Sequence, residues 1–214
     1  KLDGISAMYH NGKLYTRGNG SVGQDISYMI PHFNISAFKN KREIAVRGEL
    51  IIKKDIFRKK YQHKFSNARN LMGGLTNAKN HNKETIQMLK DVDFVAYQLI
   101  NPCVKPFVQF KKLNDWNIPC VINHHKKFIS NEILSEYLIK WRDNYDYEID
   151  GVIVSQNKIH PHPRENPKHA FAFKMILSDQ QAEATVLDVI YTPSKDGYLK
   201  PRLRTTPVNI GGTK

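Results

Sequence analysis

Cysteine is nearly missing from this chain: there are two, Cys103 and Cys120, in 214 residues, and no CxxC spacing. That excludes a disulfide-stapled secreted scaffold and a four-cysteine zinc site. It suits a reducing, cytoplasmic compartment, with both thiols expected as small buried apolar residues. No apolar run approaches the roughly 20 residues that cross a bilayer, and no signal-peptide pattern is visible. Internal repeats and low-complexity tracts are lacking too, which argues against a disordered tail. Acidic residues are scarce: 20 Asp and Glu against 33 Lys and Arg leave a net charge of +13. A folded surface with that balance attracts polyanions, nucleic acid foremost. The apolar content of 40% suffices for the core of one substantial domain with part of a second.

Residues 5–17 place Asn11-Gly12 between two β-prone runs, the strongest short-range hairpin signal. Residues 42–54 alternate Ile44, Val46, Gly48 and Leu50 with Glu43, Ala45, Arg47 and Glu49, which predicts a strand with Glu49 on a polar face. Helices are expected over 66–80, weakened by Gly73 and Gly74, and over 82–91; a buried strand is expected over 92–100. In 132–143, Ile133, Leu134, Tyr137, Leu138 and Trp141 recur at helical spacing, which puts Arg142 beside the apolar stripe. Strands follow over 148–155 and 169–175, separated by an insert punctuated by three prolines. Beyond Asp179 the pattern changes to short strands around a turn at 194–197, the texture of a small β-barrel. Strands and helices without regular βαβ alternation indicate an α+β fold.

If the first residues are extended, Lys1 and Asp3 share a face, and an ion pair between them on an edge strand is the plainest reading. Other strings bear on that reading. Lys-Leu-Asp-Gly at 1 is followed in order by Thr-Arg-Gly-Asn-Gly at 16, Arg-Gly-Glu-Leu at 47, Ser-Asn-Ala-Arg-Asn at 66, Glu-Ile-Asp-Gly-Val-Ile-Val at 148 and Ala-Phe-Ala-Phe-Lys-Met at 170. Each is weak alone. Together they span nearly the whole chain, which resembles the adenylation (nucleotidyltransferase) domain of the NAD-dependent DNA ligases. The Leu14–Ser27 string, Phe-Ser-Asn-Ala-Arg-Asn at 65 and the Asn-Pro-x-x-Ala-x-Ala-Phe-Lys string ending at Lys174 are similar to that branch more than to ATP-dependent ligases.

The resemblance implies antiparallel sheets flanked by helices over 1–180, then the start of an OB-fold domain over 181–214. It implies that Lys1 attacks the α-phosphate of NAD and forms a lysyl-AMP, which passes to the 5′-phosphate of nicked duplex DNA before the 3′-hydroxyl closes the strand. An amine attacks only with a free lone pair, and an unperturbed lysine has a pKa near 10.4, so cationic neighbours suit a nucleophilic lysine. By the same resemblance Asp3 is the acidic partner in the nucleophile motif, and Arg17 and Arg69 supply charge around the nucleotide and the nick. Glu49 accepts a hydrogen bond from the ribose. Tyr97 and Ile153 cover the two faces of adenine, and Arg142 matches a helix arginine eight residues before Asp150. Asp150 orients Mg²⁺ or its waters, and Lys174 contacts the α-phosphate.

Ser155 stands where the family carries a lysine, and Asn77 where it carries a second arginine. Lys158 is expected to supply the charge missing at 155 if the strand ends early. The resemblance further implies a monomer with no membrane partner, acting at a bacterial or viral replication site, and a chain that is a piece of a longer ligase. An ATP-using or RNA-directed ligase and a non-catalytic nucleic-acid-binding module are the alternatives. His124-His125 and His160-Pro-His162 lack a Cys or carboxylate set to complete a metal site, so they read as loop residues.

Overall fold

Asn11 and Gly12 adopt φ values of 47° and 77°, the left-handed geometry that a two-residue hairpin loop needs to match the twist of its strands. They join β1 (Ile5–His10) to β2 (Lys13–Thr16), with His10 opposite Lys13. In this computed structural model, which describes residues 1–32, 43–78, 82–160, 167–175, 181–208 and 210, the hairpin is one side of a four-stranded antiparallel sheet. Its order is β2-β1-β3-β4, with β3 at Ala45–Ile52 and β4 at Val92–Asn101. A 3₁₀ turn (Ser27–His32) follows the hairpin, and α1 (Lys54–Lys60), α2 (Ala68–Asn77) and α3 (Lys83–Leu89) connect β3 to β4. Then come α4 (Pro106–Asp115), α5 (Asn131–Asn144), and β5 (Val152–Ser155) paired antiparallel with β6 (Ala170–Phe173). Residues 161–166 of the proline-punctuated insert, His162 among them, lie outside the described residues.

Two helices were not anticipated: α1, seven residues rich in lysine, and α4, which Pro106 starts at its first turn, where a missing N–H costs nothing. The glycines at 73 and 74 do not break α2, because Asn67 caps its start by accepting from Asn70 N at 2.8 Å and Leu71, Met72 and Leu75 are buried.

The expected polar face of β3 is also corrected. Every residue of this strand but Arg47 is buried, Glu49 included, because β3 is central and its two faces are covered by different cores. Leu50 and Ile52 join Tyr9, Leu14, Leu71 and Phe94 in the larger core. Ile51 turns the other way, to Leu2, Val95, Ile149, Val152 and the Leu134–Leu138 face of α5. Cys103 is exposed and Cys120 half-buried, against the expectation of two buried thiols; the first lies just beyond the end of β4, where the chain leaves the sheet.

Residues Lys1–Met175 form one compact unit and Ile176–Lys214 a second. The second contains β7 (Val186–Pro193) and β8 (Leu199–Thr205), an antiparallel pair joined by the turn at 194–197. Asp188, Ile190 and Thr192 lie opposite Arg204, Arg202 and Lys200, while Val189, Tyr191 and Pro193 face Leu203, Pro201 and Leu199. One face of this hairpin is therefore basic and the other apolar.

Gly48 lies where β3 crosses Phe94 of β4. A Cβ there would sit 2.6 Å from the ring and 2.8 Å from the Val95 carbonyl oxygen. Gly48→Ala is expected to lower unfolding stability by about 1–3 kcal/mol, the usual cost of overpacking. Urea denaturation would show this as a lower midpoint with an unchanged slope, and an unaltered midpoint would contradict the close approach.

Candidate active site

The first residues are held against the segment that leads into β5. Asp3 N donates to Glu148 O at 3.0 Å, Asp150 N donates to Lys1 O at 3.0 Å, and Leu2 pairs with Ile149. This short antiparallel ladder sets the side chains of Lys1 and Asp150 next to each other, and Lys1 Nζ donates to Asp150 Oδ2 at 2.7 Å. Because Val152 lies opposite Phe173, the residue after β6 reaches the same point, and Lys174 Nζ donates to the same oxygen at 3.0 Å. Burial pushes the Asp150 carboxyl up, but the hydrogen bonds from Lys1 and Lys174 outweigh it and hold the group below its ordinary value. Its second oxygen, Oδ1, is buried without a partner among the described residues.

The ion pair between Lys1 and Asp3 does not form. Asp3 instead accepts from Arg69 Nη1 at 3.2 Å, and the same nitrogen donates to Gly4 O at 2.8 Å. Arg69 is held there by the capped first turn of α2. Gly4 N donates to Glu49 Oε1 at 3.2 Å, and a side chain at Gly4 would meet the Leu50 carbonyl and come within 2.9 Å of Glu49 Cγ. Glu49 is 9% exposed. Burial pushes its carboxyl up to about 7, against the opposing pull of the Gly4 N–H and the charges of Lys1 and Arg69. Nearby, Tyr97 and Ser6 share a hydroxyl–hydroxyl hydrogen bond of 2.6 Å, and burial raises the Tyr97 phenol.

These groups surround a cavity of about 1030 Å³, at the upper end of the range for small-molecule sites. Lys1, Arg17, Glu49, Arg69, Tyr97 and Ile153 line it, while Asp150 and Lys174 adjoin through Lys1 and Asp3 through Arg69. Arg142 is not brought to this cavity. It lines a separate hollow with Lys54, Asp55 and Arg58, and its carbonyl accepts from Lys54 Nζ at 2.7 Å. Ser155 shares the cavity wall with Ile153, and β5 ends at Ser155 as anticipated, yet the lysine contributed from this side is Lys168 rather than Lys158. Asn77 turns back on its own helix, donating to Gly73 O at 2.9 Å.

Other parts of the wall carried no sequence signal. Phe107 enters from the unanticipated α4, and residues 121–129, without helix or strand, supply Lys126, Lys127 and Phe128. No periodicity marks such a segment. Its histidines pack against rings, His124 on Tyr137 and Trp141 at 5.0 and 5.5 Å and His125 on Phe107 at 5.2 Å. Among the described residues no three His, Cys, Asp or Glu side chains converge as a metal cluster. No described helix is long and apolar enough to cross a membrane.

Residues 1–176 match the family described as NAD-dependent DNA ligase adenylation domain. A "DNA ligase" of Acanthamoeba polyphaga mimivirus is 39% identical over 221 residues, covering 98% of this chain and 34% of that protein. The "Putative DNA ligase 205R" of Invertebrate iridescent virus 6 is 36% identical over 231 residues, covering 100% of the chain and 36% of the relative. A "DNA ligase" of Shewanella baltica is 28% identical over 215 residues, covering 99% and 30%. The chain thus spans about a third of the length of these relatives. With four-fifths of its length matched and the lysine–carboxylate–lysine cluster inside the matched region, the chain belongs to the family of NAD-dependent DNA ligase adenylation domains.

Proposed function

We propose that this chain is the nucleotidyl-transfer core of a ligase that takes AMP from NAD, loads it on Lys1 and uses it to seal nicked duplex DNA. The observation that carries the reading is the convergence of Lys1 and Lys174 on one Asp150 oxygen at the edge of a nucleotide-sized cavity. Lys1 sheds a proton and attacks the α-phosphorus. An N–P bond forms, the P–O bond to nicotinamide mononucleotide breaks, and a second proton leaves the nitrogen. Lys174 and Arg69 stabilise charge on the phosphate oxygens, Glu49 accepts from the ribose, and Tyr97 and Ile153 enclose the base. Arg17, exposed on the cavity wall, contributes positive charge towards the nick. Asp3 steadies Arg69 through their ion pair. An oxygen of the 5′-phosphate then displaces Lys1 from the adenylated phosphorus, and the 3′-hydroxyl attacks the 5′-phosphate and expels AMP.

Mg²⁺ suits the site, because Asp150 Oδ1 is buried with no described partner and this ion is commonly held by one carboxylate with phosphate oxygens and water. Bound there by Asp150, it would neutralise charge developing on the phosphate. Residues 1–180 would then be the nucleotidyltransferase domain and 181–214 the start of an OB fold, whose basic hairpin face and the net charge of +13 suit a nucleic-acid partner. A monomer in the cytoplasm completes the proposal.

Incubating the full-length protein with NAD labelled in its adenylate, followed by denaturing electrophoresis, tests the reading. Covalent label from NAD is expected. Label from ATP alone would replace NAD by ATP as the donor, and no label from either would leave a binding module. Lys1→Ala should abolish labelling while circular dichroism stays unchanged, and Lys1→Arg should fail equally because a guanidinium stays protonated. Persistent labelling of either variant would assign the nucleophile elsewhere.

Glu49 generates a pH-dependent outcome in the unliganded protein. Its carboxyl rises from 4.5 to about 7 in a setting that includes Lys1, Arg69, Asp3 and the Tyr97 phenol. The folded form therefore holds the proton more tightly than the unfolded form, and the contribution of Glu49 to stability falls as pH rises from about 4.5 to about 7 and is level above. Glu49→Gln removes this cost while keeping an acceptor for Gly4 N–H. Its stability relative to the unsubstituted chain should grow across that window, by up to about 3 kcal/mol. Denaturation midpoints at pH 5 and pH 8 that differ equally for both proteins would refute the assignment.

A further inference from the structure

The end of the cavity remote from Lys1 has a composition that an adenylate alone does not call for. Along β5 the wall runs from Val152 to Ser155, a distance of about 10 Å at 3.3 Å per residue. Past that point come Phe107 at the start of α4 and His125, both against Asn157, and Lys168 just before β6, while Phe171 lies opposite Val154 and the rest of residues 121–129 complete the wall. Three phenyl rings stand in water there, Phe107 at 55% exposure, Phe128 at 72% and Phe171 at 53%. Lys126, Lys127 and Lys168 share the wall, and among the described residues none of them makes an ion pair. The carboxylate that lines this cavity is Glu49, and it is bonded to Gly4 near Lys1.

Residues 121–125 and Phe107 are fixed at several points. Val121 N donates to Ala96 O at 2.9 Å, Ile122 N to the Tyr145 hydroxyl at 3.3 Å, and Asn157 Oδ1 accepts from Phe107 N at 3.0 Å. The ring contacts of His124 and His125 add to this frame. Holding Phe107 and residues 121–125 in place beforehand lowers the ordering cost of binding.

An apolar small molecule has no use for three ammonium groups, and an inorganic phosphate has none for three exposed rings. Unpaired nucleotides use both: their bases stack on aromatic faces while cations neutralise the phosphates. We propose that this end of the cavity and its rim bind a single-stranded stretch of nucleic acid, with bases on Phe107, Phe128 and Phe171 and phosphates at Lys126, Lys127 and Lys168. A base inside a duplex is already stacked and unavailable to the rings, so the site favours unpaired strand over blunt duplex. It requires no nucleotidyl transfer and stands apart from the role proposed for Lys1.

Fluorescence anisotropy of the 214-residue chain with a labelled ten-residue oligothymidylate tests the proposal against an abasic oligomer of equal length and charge. The thymidylate should bind about tenfold more tightly or better, and Phe128→Ala should weaken it about tenfold while leaving the abasic oligomer unaffected. Lys126→Gln with Lys127→Gln should flatten the slope of log affinity against log salt by about 1.4, at roughly 0.7 per phosphate contact. Equal binding of both oligomers, blunt duplex weakened by Phe128→Ala as much as thymidylate is, a silent Phe128→Ala or displacement by polyglutamate as effective as by thymidylate would each overturn it. The comparison of oligomers on the unsubstituted chain needs no variant to fold, and adenylate labelling of Lys1, read in parallel, reports on the other site alone.

Discussion

The site depends on one short ladder, the antiparallel pairing of residues 1–3 with 148–150. Two backbone hydrogen bonds there do what no local motif does, and bring a lysine to a carboxylate from the far side of the sequence. Once Asp150 is placed, the β5–β6 register delivers Lys174 to the same oxygen. The carboxylate separates two ammonium groups that would otherwise repel each other across a few ångströms, and that single contact couples the strand pairing to the charge balance of the cavity.

Glu49 illustrates the opposite situation, a charge-bearing group in a setting that disfavours the charge. Its strand is central to the sheet and covered on both sides, so the carboxyl has little access to water and keeps one backbone N–H and two nearby cations as compensation. Such a group is costly to ionise while the cavity is unliganded. A hydrogen-bond donor arriving with a ligand would relieve part of that cost, so the energetic penalty becomes a source of affinity.

Several features were legible because their signal is local. Asn11-Gly12 specifies a two-residue loop through its backbone preferences alone, and the spacing of Leu134, Leu138 and Trp141 marks α5. What escaped depends on partners distant in sequence. Alternation in 42–54 matched a half-exposed strand, but alternation cannot register a second core on the other face, so the burial of Glu49 was hidden. The shared face of Lys1 and Asp3 suggested a mutual ion pair, whereas each found a better-placed partner across the chain. Arg142 lies beside the apolar stripe of α5, as the spacing predicts, yet it lines a different hollow, with Lys54, Asp55 and Arg58. The 121–129 segment had no period to read, because its conformation is set by the rings and backbone groups it leans on.

The hairpin of β7 and β8 presents a problem of error tolerance. Its basic row and its apolar row interleave along β8 with a period of two, so a slip of the pairing by a single residue would exchange the environments of every side chain on one strand. Asp188 opposite Arg204 would meet Leu203 or Thr205 instead, and Val189 would lose Leu203. The irregularity between Val186 and Asp188 interrupts the ladder at one end and the 194–197 turn closes it at the other, leaving few ways to shift. In this unit two pinned ends act as a frame marker, in the sense that a message with a repeating alphabet needs a fixed starting letter to be read at all.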